Sequence, residues 1–345
     1  MSVARWIRRL CLAGLLLCFA VVVLGAYVRL TAAGLGCPDW PGCYGHLSPP
    51  GAEQSAAALP AYPGRALDAG KAWREMIHRY AAGTLAAIIV LITVLALTAR
   101  RARVVSVPLV LALFATVLVQ ALLGMLTVTW QLKPLIVTAH LLFGMTTLAL
   151  LWWLTLSLPR SSWGSTALHS AGRAIGGGGA SPLAHAQLLA LLGLGALLLQ
   201  IALGGWTSSN YAAIACPDFP TCQGVWWPHA DFRQGFALWH GLNTDYEGGV
   251  LDNPSRIAID LAHRLSALLA AVVLGLAALY VLRRRGFAGA RRWAWALLAA
   301  LALQLAIGVS MVLRGFPLWL ATLHTAGAAL LLLATLALLR SLSAR

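Results

Sequence analysis

The chain has 345 residues, of which 60% are hydrophobic and only 10% are charged. A composition this apolar excludes an ordinary water-soluble domain and indicates an integral membrane protein. The net charge of +15 does not form one basic patch but is spread between apolar runs, so we expect contact with membrane lipid and not with nucleic acid.

Eight apolar runs are long enough to cross the membrane, since a spanning helix needs about 20 residues. The first has a basic flank but lacks a small-residue cleavage site, so we expect it to remain as an anchor and not to be removed as a signal peptide. The predicted fold is therefore all-α, with eight transmembrane helices. In chain order the runs lie at about 9–29, 77–98, 104–129, 135–157, 185–206, 259–282, 292–313 and 317–339.

The distribution of charge predicts the orientation of the chain. If the N-terminus is cytoplasmic, the cytoplasmic segments hold fifteen arginines and no acidic residue. The external segments and their helix ends hold the other ten basic residues and all ten acidic ones. This positive-inside pattern predicts that both termini are cytoplasmic and that the long loops at about 30–76 and 207–258 are external.

Much of the sequence occurs twice. LGAYVRLTAAGLGCPDWPGC at 24–43 aligns with LGGWTSSNYAAIACPDFPTC at 203–222, and EMIHR, QALLGMLTV and TAHLLFG align with DLAHR, QLAIGVSMV and TLHTAGA. We predict two tandem four-helix halves, 1–158 and 185–345, joined by a glycine-rich cytoplasmic linker at 159–184. Because four crossings are an even number, the halves share one orientation and are related by a pseudo-twofold axis along the membrane normal.

Each copy contains two cysteines separated by five residues: Cys37 with Cys43, and Cys216 with Cys222. They lie on the predicted external side, where disulfides persist. The spacing is not that of covalent haem attachment. Two interpretations stay open, structural disulfides, which we favour, and redox-active pairs that pass electrons.

Four histidines occupy repeat-equivalent positions inside predicted helices, one or two turns below the external surface at the starts of the second, fourth, sixth and eighth helices. Such intramembrane residues are costly and mark functional sites, although a lone histidine can serve only as a hydrogen-bond partner between helices. Two imidazoles from facing helices suit the axial positions of a haem. The four are His78, His140, His263 and His324.

Glu75 lies about one helical turn closer to the external surface than His78. A di-iron centre at this E-x-x-H pair would need more carboxylates than the helices supply. The acid is suited to proton transfer or to stabilising positive charge, or it is simply a helix N-terminal acid paired with Arg79 or Arg74. Arg79 and the equivalent Arg264 are candidate partners of haem propionates, or they extend to the membrane interface.

These motifs together resemble the bacterial type of the haem A synthase family. The matching text is GAYVRLTAAGLGCPDWPGC, EMIHR, TAHLLFG, GGWTSSNYAAIACPDFPTC, TDYEGGVLDNPSRIAIDLAHR and TLHTAG, which spans nearly the whole chain. The resemblance implies an enzyme of the bacterial inner membrane, with its sites toward the periplasm. It implies oxidation of the C8 methyl group of haem O to a formyl group, giving haem A for terminal oxidases.

The resemblance also implies roles for the two halves. His78 and His140 would ligate the substrate haem O, and His263 and His324 a non-covalent cofactor haem b. Glu75 matches the essential acid of the family, whereas Asp260 stands at that position in the second half. The implied partners are haem O, haem O synthase as the upstream enzyme, and an electron donor that the sequence does not identify.

Two other classes of function remain open from the residues alone. One is a quinone-linked diheme b-type electron carrier, which would need no catalytic acid. The weaker alternative is a transporter, because internal repeats are common there. However, matched glycine or proline interruptions within the helices are not evident.

Overall fold

The structure is a computed structural model that describes residues 3–49, 51, 61–62, 67–100, 105–158, 181–241 and 244–343. Within these residues it contains eight helices that are long and apolar enough to span a membrane, and apart from two isolated bridges it has no β-structure. The predicted all-helical membrane fold is therefore confirmed. The first 22 residues of the predicted linker, 159–180, lie outside the described residues. The helices are α1 Val3–Leu30, α2 Ala69–Thr98, α3 Val107–Thr129, α4 Pro134–Ser157, α5 Pro182–Ser209, α6 Asn253–Arg283, α7 Arg291–Leu313 and α8 Leu318–Ser343.

Helices α2 and α6 begin well before their apolar runs. Asp68 caps α2 by accepting a hydrogen bond from the backbone N–H of Lys71 at 3.0 Å, and Asp252 caps α6 in the same way through Ser255 at 3.0 Å. The polar first turns that follow these caps carry no hydropathy signal. As a result, His78 and His263 lie more than two turns inside their helices, and the prediction that they stand at helix starts is wrong.

The helices pack as two rings of four. In the first ring α1 and α3 each contact both α2 and α4, and in the second ring α5 and α7 each contact both α6 and α8. The rings meet where α4 contacts α5 and α8, and where α1 contacts α8. The indole N–H of Trp152 on α4 donates to the carbonyl of Leu333 on α8 at 2.9 Å. The free cysteines Cys11 and Cys18 are buried in the shared core.

The chain between α5 and α6 reaches across to the first ring. Tyr246 is buried against Leu35, Val128 and Leu132 of the first ring, and its backbone N–H donates to the carbonyl of Gln131 at 3.1 Å. This crossing segment therefore covers the end of the first ring at which α3 is joined to α4.

Candidate functional site

The four predicted histidines form two pairs. His78 on α2 and His140 on α4 lie close enough for a charge on one ring to affect the other, and the same holds for His263 on α6 and His324 on α8. In each ring the two helices stand diagonally opposite, separated by the helices on either side. The imidazoles therefore face each other across the interior of their ring, which is where helical bundles hold cofactors.

Each imidazole packs against a glycine of a neighbouring helix. A methyl group placed at Gly25, Gly204 or Gly308 would lie 3.0, 3.2 or 3.0 Å from the Cε1 atom of the adjacent histidine, His78, His263 or His324. At Gly124 the corresponding distance to His140 is 3.5 Å, an ordinary contact. At three of the four positions glycine thus lets the neighbouring helix approach the imidazole more closely than a residue with a Cβ atom would without a shift of the imidazole.

The imidazole nitrogens have few protein partners. Nδ1 of His78, His140 and His324 is buried, and in the described part of the chain none of these atoms has a hydrogen-bond partner. Buried polar atoms are nearly always satisfied, so unpartnered ones need an explanation. A pair of such rings facing each other across a bundle fits the axial ligands of a haem.

Two glutamines approach the histidines of the second ring. The side-chain nitrogen of Gln200 lies 3.2 Å from Nδ1 and 3.4 Å from Nε2 of His263, and that of Gln304 lies 3.3 Å from Nε2 of His324. Position 21, equivalent to Gln200 in the alignment of the two copies, is a valine. Of the two glutamines beside the histidines of the second ring, only Gln304 therefore has an equivalent glutamine, Gln120, in the first ring.

A carboxylate-rich metal centre does not fit the described residues. They contain no group of three or more histidine, cysteine, aspartate or glutamate side chains placed to hold a metal ion. The E-x-x-H pair of Glu75 and His78 thus gains no further carboxylate from the described helices, and a haem between two histidines remains the better fit.

Glu75 is fixed by the loop that carries the first cysteine pair. Its side chain is buried, with 4% of the residue exposed. Oε2 accepts a hydrogen bond from the backbone N–H of Cys37 at 2.8 Å, and Oε1 forms an ion pair with Nη2 of Arg79 at 2.6 Å. Of the two pairings considered from sequence, the one with Arg79 is found. The acid thus connects the helix of His78 directly to the cysteine loop.

Asp260 has a simpler environment in the second half. It is buried, and its Oδ2 lies 2.7 Å from Nε of Arg264, an ion pair without hydrogen-bond alignment. The backbone of Cys216 meets this site through its carbonyl, which accepts a hydrogen bond from Arg264 at 3.0 Å. The shorter acid therefore lacks the backbone contact that holds Glu75.

Arg79 binds the first cysteine loop, residues 37–43. Its Nη1 donates to the carbonyls of Asp39 at 2.9 Å, Pro41 at 3.3 Å and Gly42. Because the guanidinium also pairs with Glu75, much of its hydrogen-bonding capacity is used within the protein. The suggested contact with a propionate stays a prediction.

Arg264 binds the second cysteine loop, residues 216–222, in an equivalent way. Besides Cys216, it donates to the carbonyls of Asp218 at 3.0 Å and Thr221 at 2.8 Å. Asp218 in turn accepts backbone hydrogen bonds from Gln223 and Gly224. A hydrogen bond from the hydroxyl of Thr221, together with these two backbone hydrogen bonds, holds the pKa of Asp218 below its usual range.

The cysteine sulfur atoms lie at bonding distance in both loops. The separation is 2.02 Å between Cys37 and Cys43 and 1.97 Å between Cys216 and Cys222. In the first loop Asp39 accepts backbone hydrogen bonds from residues 44 and 45, which match the two that Asp218 accepts from residues 223 and 224. The two copies of the phrase thus adopt one local structure.

The glycines and glutamines that contact the four histidines were not among the site residues predicted from the sequence. Gly124 and Gly308 stand four residues after Gln120 and Gln304 in the aligned stretches QALLG and QLAIG, and Gly25 and Gly204 occur in the aligned LGA and LGG. The repeated Q-x-x-x-G spacing was therefore the one sequence feature that could have identified these residues as neighbours of the histidines.

Comparison with known proteins identifies relatives over nearly the full length. The family model described as cytochrome oxidase assembly protein, COX15-CtaA, matches residues 8–336. The chain is similar to the haem A synthase of Shewanella oneidensis, with 40% identity over 335 residues that cover 95% of this chain and 93% of the relative. It is also similar to the haem A synthases of Caulobacter vibrioides, at 30% identity covering 91% and 89% of the two chains, and Granulibacter bethesdensis, at 26% identity covering 99% and 87%. The chain therefore belongs to the COX15-CtaA family of cytochrome oxidase assembly proteins.

Proposed function

We propose that this protein is a haem A synthase that oxidises the C8 methyl group of haem O to a formyl group. The observation that carries the proposal is the arrangement of histidines in two diagonal pairs, one inside each ring, in a chain whose relatives carry that name. No observation favours the diheme carrier or the transporter.

The conversion is a four-electron oxidation, R–CH3 + H2O → R–CHO + 4 H+ + 4 e−. The electrons must pass to an external electron acceptor such as dioxygen, which four electrons and four protons reduce to two molecules of water. His78 and His140 would ligate the iron of haem O and so fix the position of the ring. Glu75, one turn from His78, would accept protons that leave the methyl carbon or would stabilise positive charge there. Its contacts to Cys37 and Arg79 hold the carboxylate in position.

The second half would hold haem b between His263 and His324. When bound, that haem supplies electron transfer. Gln200 and Gln304 restrict the orientation of the two imidazoles by their contacts to the ring nitrogens. Asp260 would have no direct role in the reaction, because it is shorter and pairs only with Arg264 among its described contacts.

We also propose the finer architecture that the repeat predicts. The halves 1–158 and 185–345 would be related by a pseudo-twofold axis along the membrane normal, which the matching helix contacts of the two rings support. Both termini would be cytoplasmic, and the cysteine loops and histidines would lie toward the periplasmic side of a bacterial inner membrane. The four loop cysteines would form two disulfides.

Expression in cells that lack haem A synthase but contain haem O synthase tests the function. Haems are extracted from the membranes and separated by chromatography with mass detection. We expect haem A with the wild-type protein and accumulated haem O with a His78→Ala variant of equal abundance. The proposed activity would be contradicted if haem O accumulated with the wild-type protein and the purified protein contained haem b alone.

A further inference from the structure

Both cysteine loops lead into exposed apolar side chains. In the second loop the tight turn that follows Cys222 is succeeded by Trp226 and Trp227, which are 74% and 65% exposed. The first loop has the same turn after Cys43, and Leu47, which aligns with Trp226, is 84% exposed. Exposed apolar groups that occur together mark interaction sites, and the two copies place them at the same point.

The first loop is held beside α2 at the level where the apolar run of that helix begins. The hydroxyl of Tyr80 on α2 donates to the carbonyl of Leu47 at 2.6 Å. Tyr80 precedes Arg100, just beyond the other end of α2, by 20 residues, which is about 30 Å along a helix axis. The hydrocarbon core of a bilayer is also about 30 Å thick. If Arg100 marks one membrane surface, Leu47 therefore lies at the edge of the hydrocarbon on the other.

The second loop lies at the same level beside α6. Arg264, which binds this loop through backbone carbonyls, also lies 5.9 Å from the ring centre of Phe219. It precedes Arg283, at the other end of α6, by 19 residues, or about 29 Å. The next residue, Leu265, aligns with Tyr80 and is exposed. By this equivalence the two tryptophans adjoin the exposed apolar face of α6, which a spanning helix turns toward lipid.

We propose that phospholipid covers these side chains: Leu47, Trp226 and Trp227 insert into the interfacial layer of the membrane leaflet that faces the cysteine loops. Tryptophan is enriched at this depth because its ring is apolar and carries one polar N–H group. Each loop is thus held from two sides, by an arginine of its helix and by lipid. In the first loop the lipid contact steadies the backbone N–H of Cys37 that binds Glu75. The inference rests on the membrane-spanning helices and not on the proposed reaction.

Spin labels at the two loops report whether lipid or water surrounds them. Leu47→Cys and Trp226→Cys are labelled separately with a nitroxide without reductant, and unsubstituted protein labelled in parallel gives the background. The proteins are reconstituted into vesicles of phosphatidylethanolamine and phosphatidylglycerol. Power-saturation EPR then compares collisions with oxygen, which concentrates in lipid, and with a neutral nickel complex, which stays in water. We expect collisions with oxygen to exceed those with nickel at both sites.

Two matched sites calibrate the measurement. Leu268→Cys is on the exposed apolar face of α6 and should collide mainly with oxygen. Arg233→Cys is also exposed but lies higher, because the backbone N–H of Asp231 donates to the carbonyl of Pro254 at 3.0 Å. Pro254 precedes Arg264 by ten residues, so this site stands about 15 Å farther from the hydrocarbon. A label there should collide mainly with nickel.

The outcomes distinguish lipid from the other possible surroundings. Each variant must elute in gel filtration as the wild type does, and Trp227→Cys replaces Trp226→Cys if that protein does not. A label at either loop that collides mainly with nickel would place the loop in water. A label protected from both reagents would show that protein covers the loop, either a partner or a second copy of the chain. Each of these two results would overturn the inference.

Discussion

Gly25 and Gly124 provide a matched pair of substitutions within the first ring. Each lies inside a long helix, and each faces the imidazole of a predicted ligand. The methyl group of Gly25→Ala would lie 3.0 Å from Cε1 of His78, whereas that of Gly124→Ala would lie 3.5 Å from Cε1 of His140. Since carbon atoms pack best at about 3.5–4.0 Å, only the first substitution pushes its histidine, by about 0.5 Å.

The two substitutions should have equal effects on the helices and unequal effects on the haem. Alanine in place of a helical glycine stabilises a helix by roughly 0.5–1 kcal/mol in either case. Overpacking costs about 1–3 kcal/mol and arises only at Gly25. His78 would absorb the displacement, because no hydrogen bond holds its Nδ1 within the described residues. We therefore expect Gly25→Ala to weaken haem O binding about 5- to 150-fold, and Gly124→Ala to leave it nearly unchanged.

The assay is titration of both purified variants with haem O, followed by Soret absorbance, with thermal unfolding measured in the same detergent. Neither variant should unfold at a markedly lower temperature than the wild type. Equal loss of binding in the two variants, or no loss in Gly25→Ala, would show that close packing of glycine against imidazole does not position the ligands.

Three further predictions concern the acid and the cysteine loops. Glu75→Gln should retain both haems but stop conversion of haem O, whereas Asp260→Asn should lose far less activity. Conversion is measured by haem extraction and chromatography, and an equal loss of activity in the two variants would refute the catalytic assignment. Alkylation without reductant, followed by mass measurement, should find all four loop cysteines protected, and labelled loop thiols in fresh protein would mean that the pairs are reduced. Arg264→Lys should increase hydrogen exchange in residues 216–222, because one ammonium cannot replace a guanidinium that contacts three carbonyls; unchanged exchange would show that Arg264 does not hold the loop.

Hydropathy predicted the existence of all eight helices but not where α2 and α6 begin. The apolar run of the second helix begins near residue 77, yet α2 starts at Ala69 because Asp68 caps a polar first turn. Such a turn is stabilised by local hydrogen bonds and not by lipid, so an apolar pattern does not detect it. The depth of His78 in its helix was misjudged for this reason.

The repeat identified the histidines, but it did not reveal what surrounds them. The contacts of Gly25 and Gln200 to imidazole rings depend on how neighbouring helices pack, which no single helix pattern encodes. Arg79 illustrates the same limit, because its main partners lie 37 to 40 residues away in a loop that folds back over α2.

The proposed function requires each ring to hold its own haem between its own two histidines. The most direct measurement is the haem content of purified His324→Ala protein supplied with haem O, determined by extraction and mass analysis. We expect haem b to be lost while haem O remains bound in the first ring. Loss of both haems from a folded protein, or retention of haem b, would contradict it.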